Sequence, residues 1–175
     1  ELRDWELFNR PAKGFSPSQC FFALYARPSG GEAVTRVLEG PIDPVDYNGS
    51  HDASANEAGL PRFRECSFHA AYPLGQWRLR DKDVPVDVRI ETFNPLVPTD
   101  PDASGMPVAV LRYVLRNRTN RNVQASVCGS LRNIVGAEMT RNVWDHWRIP
   151  SDNRNRSRRS SRPKLRGLLM TGPNV

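Results

Sequence analysis

Apolar and polar residues alternate along most of this chain, and a period of two marks half-buried strands. The clearest run is VPVDVRIETF, where Val84, Val86, Val88 and Ile90 share one face and Asp87, Arg89 and Glu91 share the other. In MPVAVLRYVLRN, Leu111, Tyr113 and Leu115 oppose Arg112 and Arg116. In VQASVCGSLRN, Val123, Ala125, Val127 and Leu131 point inward, while Gln124, Ser126 and Ser130 point outward. Shorter strands are expected at CFFALYAR, AVTRVLEG, ECSFHAAY, QWRLRD and LRGLLMT. Between two of the longer runs lies RNRTNRN, whose Asn-rich chemistry suits a hairpin turn. No long stretch carries apolar residues at helical spacing between helix caps. The pattern predicts an all-β, antiparallel β-sandwich. Two segments fall outside it, Pro41 to Pro61 and Arg141 to Pro163, and both are expected to be long loops.

Composition supports strands joined by turns. Fifteen prolines and twelve glycines punctuate 175 residues, enough chain for one domain with a real core. No run approaches the roughly 18 apolar residues of a membrane span, and no signal peptide opens the chain. The expected location is therefore cytoplasmic or membrane-peripheral. Glu1 leads directly into a strand-like run and the chain stops just after another, so a partial domain cut at both ends is expected.

Charge changes the picture locally. The net charge is +6, yet nine Arg or Lys face only Asp145 and Asp152 between Arg141 and Arg166, so this segment carries the whole excess. Its densest part, NRNRSRRSSRP, has five arginines and no acid. A nucleic-acid binder would present its basic residues on a sheet with stacking aromatics. A neutral body with one isolated basic run argues against nucleic acid and for a solvated loop. Peripheral contact with an anionic membrane stays open as a partner for that loop.

Candidate chemistry is sparse. Cys20, Cys66 and Cys128 have neither disulfide nor zinc spacing and are expected to pack as small hydrophobes. His51, His69 and His146 share no ligand spacing, so no metal is expected. Acid–base hydrolysis needs two carboxylates, and four close pairs occur. Asp43 with Asp46, Asp81 with Asp83, and Asp100 with Asp102 sit in turns, where Asp caps its own backbone. Asp4 with Glu6 lies on one face of the opening strand. There is no nucleophile elbow or phosphate loop. Aromatic residues gather at Trp5 and Phe8, at Phe63, Phe68 and Tyr72, and at Trp144 and Trp147; most are expected to pack in the core or at an interface.

Five segments, in order, carry a family resemblance: LRDWELFNRPAKG, GLPRFRECSFHAAYPLGQWRLRD, ETFNPLVPTDPDASGMPVAVLRYVLRN, SLRNIVG and LRGLLMT. Together they resemble the N-terminal domain of the non-lysosomal glucosylceramidase, or bile-acid β-glucosidase, family (glycoside hydrolase family 116). The likeness runs from Glu1 to about Thr171 and lapses only in the loops Pro41 to Asn56 and Asn142 to Lys164. It implies a supersandwich-like β-sandwich, with residues 1–175 forming part of it and a catalytic (α/α)6 barrel following beyond residue 175. It also implies a retaining β-glycosidase acting on β-glucosides or glucosylceramide without a cofactor. The family's nucleophile and acid/base belong to the barrel, whose motifs this chain lacks. No catalytic residue is carried over, and the fragment alone is expected to be inactive. Its expected partner is its own C-terminal barrel. Candidate residues for that interface or the substrate entrance are Trp5, Phe8, Arg10, Arg62, Phe63, Tyr72, Asn133 and Trp144. The alternative is a free-standing carbohydrate- or protein-binding sandwich module.

Overall fold

The computed structural model describes residues 21–41, 60–106, 108–140, 146–161 and 164–173. They fall into two compact units that divide between Ser130 and Leu131. The first holds β1 (Phe21–Pro28), β2 (Val34–Val37), β3 (Glu65–Ala71), β4 (Leu74–Arg80), β5 (Val86–Phe93), the short helix α1 (Pro101–Ser104), β6 (Val110–Asn117) and β7 (Val123–Ser130). The second holds β8 (Glu138–Thr140), β9 (His146–Arg148), β10 (Arg154–Ser160) and β11 (Leu165–Thr171).

In the first unit two antiparallel sheets face each other, one ordered β2-β1-β7 and the other β3-β4-β5-β6. The expected sandwich is what the period-two pattern builds. Register places Phe68, Trp77, Ile90 and Tyr113 in one row across the four-stranded sheet, and Cys66, Leu79, Val88 and Leu115 in another. Residues in register share a face, so these rows form one inner surface. Ile90, Leu79 and Val88 pack there with Leu24, Ala26, Leu38 and Phe63 from the opposite side. The Phe22 ring of β1 meets the Tyr113 ring of β6 with centroids 5.5 Å apart. Fully burying a side chain such as Ile90 contributes about 1.5–3 kcal/mol, so this interior is what drives the two sheets together.

The first unit departs from expectation in three places. RNRTNRN makes the local turn but no hairpin: β6 pairs with β5 whereas β7 pairs with β1, so the chain crosses between sheets there. Asn117 accepts from the Thr119 N–H at 2.8 Å and donates to the Arg121 carbonyl at 2.7 Å. Asn side chains set this turn, and such turns do not decide which strands pair. In β7, Val123 and Val127 pack on the core but Ala125 is exposed, and Leu131, which begins the second unit, is 48% exposed. Cys66 and Cys128 are exposed instead of buried. Every residue of β3, an outer strand of its sheet among the described residues, is exposed.

In the second unit β8 pairs with β9, and β10 pairs with β11 as an antiparallel hairpin. The segment expected as a solvated loop is therefore partly a strand, from Arg154 to Ser160. Its register runs from Arg154 opposite Thr171 to Ser160 opposite Leu165. All seven residues are exposed, as expected of a solvated segment. Its backbone is ordered by pairing and by Asn133, whose Nδ2 donates to the carbonyls of Arg154 and Thr171, each at 3.1 Å. A strand with neither face buried leaves no apolar alternation to read. Most of the expected Pro41 to Pro61 loop lies outside the described residues.

Candidate functional site

Asp100 and Asp81, from the two close carboxylate pairs within the described residues, serve structural roles. Asp100 caps α1 by accepting from the Ala103 N–H at 2.9 Å, and Asp102 sits in the same turn of helix. Asp81 accepts from the Asp83 N–H at 3.0 Å, as expected for Asp in a turn. It does more than cap. Buried between elements, it also accepts from Arg36 Nε of β2 at 3.1 Å, and its carbonyl accepts from Arg118 at 3.0 Å. Arg64 approaches it at 4.0 Å and pairs with Asp83 at 2.6 Å. Asp81 thus links both sheets of the sandwich and the connection between β6 and β7. Burial pushes its carboxyl up. The Asp83 N–H, the Arg36 hydrogen bond and charge, and Arg64 pull it down further, so the net pKa lies below the ordinary 3.8. Such a group is ionised wherever the domain is folded at neutral pH and cannot act as an acid. Burial also drives the Tyr113 phenol above its ordinary range, so it stays protonated. Asp43 with Asp46 and Asp4 with Glu6 lie outside the described residues. Among the described residues no three His, Cys, Asp or Glu side chains gather as metal ligands.

Of the residues expected at an interface, Arg62, Phe63, Tyr72 and Asn133 fall within the described residues. Trp5, Phe8, Arg10 and Trp144 lie outside the described residues. Arg62 pairs with buried Glu39 at 2.6 Å and donates to the Gly40 carbonyl at 3.2 Å. Its backbone forms a parallel bridge with Val37, so it pins the chain that enters β3 beside β2. Phe63 corrects the expectation. It is 1% exposed and belongs to the sandwich core, because the bridge at Arg62 turns the next side chain inward. Asn133, 8% exposed, belongs to the second unit and holds its hairpin. Tyr72 is 64% exposed, and its hydroxyl donates to the Leu96 carbonyl.

Tyr72 stands at an exposed apolar end of the four-stranded sheet. Register puts Ala71, Leu74, Phe93 and Val110 in one row on the outer face, the face that carries Arg78, Arg89 and Arg112 further along. Leu74 and Val110 are each about half exposed, as are Leu96 and Val97 in the segment that Tyr72 touches. Around them lies a shallow groove of about 440 Å³, with Tyr72, Leu74, Phe93 and Val110 among its lining. An outer row turned apolar at one end has the chemistry of a protein contact, because contiguous exposed apolar surface is uncommon without a function. The residues the sequence reading missed are Leu74, Phe93 and Val110. Part of their signal was present, since in β5 Phe93 falls on the phase otherwise held by Asp87, Arg89 and Glu91, and in β6 Val110 shares its phase with Arg112, Val114 and Arg116.

The protein-family model described as beta-glucosidase 2, glycosyl-hydrolase family 116 N-term, matches residues 1–175, the whole of the chain. No curated protein matches it.

Proposed function

The chain belongs to the N-terminal domain family of glycosyl-hydrolase family 116, and we propose that it packs against the catalytic portion of a β-glucosidase-type hydrolase and holds it in shape. It is a non-catalytic domain of a glycoside hydrolase. The parent's action on β-glucosides, with glucosylceramide among them, belongs to this proposal. So does a catalytic (α/α)6 barrel beyond residue 175, and so does the inactivity of residues 1–175 alone. The observation that carries the docking role is the apolar row Leu74, Phe93 and Val110 with Tyr72 beside it, on a sheet face that elsewhere carries Arg78, Arg89, Glu91 and Arg112. The carboxylate pairs within the described residues support the non-catalytic reading, since Asp100 caps a helix and Asp81 and Asp83 are held in ion pairs.

The test uses the full-length parent and residues 1–175 side by side. The parent hydrolyses an aryl β-glucoside and the isolated chain does not. The double variant Leu74→Ser, Val110→Ser changes the stability of the isolated chain by less than about 0.5 kcal/mol each, as exposed sites do. In the parent the same pair lowers the melting temperature and speeds proteolytic separation of the domain. An unchanged parent would remove the docking role. Binding of a soluble β-glucan oligosaccharide by the isolated chain, lost on Tyr72→Ala, would instead favour the free-standing module.

A further inference from the structure

The β10–β11 hairpin carries features that docking of the sandwich does not use. Arg154, Arg156 and Arg158 alternate along β10 and so project from one face, spaced roughly 6.6–6.8 Å apart. Opposite them on β11 stand Thr171, Leu169 and Gly167. A Cβ added at Gly167 would meet nothing within 4 Å, so the space beside Arg158 is open. The three arginines line a groove of about 440 Å³ with Leu169 and Thr171, and Asp152 is the one acid in its wall. Among the described residues no carboxylate pairs with any of the three, and β10 pairs with no strand other than β11.

We propose that the free edge of β10 accepts an extended acidic segment of a partner protein, added as a further strand with carboxylates at alternate positions. This goes beyond the hydrolase reading and does not depend on it. An edge strand offers N–H and C=O groups on the side away from its one partner, and the six residues from Arg154 to Arg159 extend over roughly 20 Å. Charged side chains on such an edge ordinarily prevent pairing with other chains. Here the charge is of one sign and three of the four arginines of β10 share one face, which makes the edge selective. A second copy of β10 with its arginine ladder in register with the first would set arginine against arginine, a destabilising cross-strand pair. An alternating acidic strand would meet each guanidinium with a carboxylate while completing the backbone pairing. Charge complementarity of this kind sets both partner and register. The exposed leucines argue against a membrane as the occupant. Leu165 and Leu169 lie on the arginine-ladder face and Leu168 on the other, so neither face forms the continuous apolar surface that interfacial insertion needs.

The experiment measures binding of a labelled peptide of about nine residues, with Glu alternating with Thr, to the 175-residue chain by fluorescence anisotropy. The expected affinity is at least about tenfold above that for the same peptide with Gln in place of Glu, a difference of about 1.4 kcal/mol. Arg154→Ser, Arg156→Ser and Arg158→Ser together abolish this preference. Arg159→Ser with Arg166→Ser, on the opposite face, leaves it within about threefold, since the ladder and not total charge sets the preference. Backbone N-methylation of the Glu peptide removes binding even if the triple variant fails to fold. Equal losses from the two faces, undiminished binding of the N-methylated peptide, or binding to phosphatidylserine vesicles without peptide preference would each overturn the proposal.

Discussion

Replacing Asp81 with Ala lowers the unfolding free energy of the domain by about 3–5 kcal/mol in urea titration, the usual loss when one partner of a buried ion pair is removed. The reason lies in what the carboxylate leaves behind. Arg36 is mostly covered, and its Nε loses the acceptor at 3.1 Å. The Asp83 N–H loses its cap at 3.0 Å, and Arg64 loses one of its two neighbouring carboxylates. Asp81→Asn keeps the shape and one carbonyl acceptor, so its effect falls between wild type and Ala. The pH dependence has a definite sign. The folded carboxyl titrates below its ordinary 3.8, so its contribution is complete above the unfolded value and is lost as pH falls through the folded one. The wild type therefore loses stability below about pH 4 by a term that Asp81→Asn lacks. Parallel acid profiles for the two proteins would show that Asp81 does not bind this way.

The second large effect separates Phe63 from Tyr72, which the sequence places together. Phe63→Ala destabilises the isolated chain by about 3–5 kcal/mol, the range for deleting a core aromatic. Its ring belongs to the cluster of Leu24, Leu38, Leu79 and Ile90, and its backbone N–H donates to the Glu39 carbonyl at 3.1 Å. Tyr72→Ala in the same chain stays within about 0.5 kcal/mol of wild type, as an exposed site should. Comparable losses at the two positions would contradict the burial of one and the exposure of the other.

The sandwich was legible where one face of a strand is buried. Val86, Val88 and Ile90 alternate with Asp87, Arg89 and Glu91 because water and core lie on opposite sides of β5. β10 was not legible, because RNRSRRS buries no face and takes its order from β11 and Asn133. The turn role of Asp81 follows from its neighbours at Lys82 and Asp83, whereas its pairing with Arg36 joins residues 45 positions apart and leaves no local trace. Phe63 sits between Arg62 and Arg64, and nothing nearby says which way it points until Val37 bridges Arg62. The docking end was half legible. Phe93 breaks the polar phase of β5, yet only register shows that it adjoins Val110 and Leu74.

Hydrogen–deuterium exchange of the full-length parent, compared with residues 1–175 alone, tests the docking role most directly. If the apolar end packs on the catalytic portion, amides around Leu74, Phe93 and Val110 exchange at least about tenfold more slowly in the parent, while those around Arg78 and Arg89 on the same sheet face exchange alike in both. Equal exchange at the apolar end, or protection confined to the arginine-bearing part of the face, would contradict it.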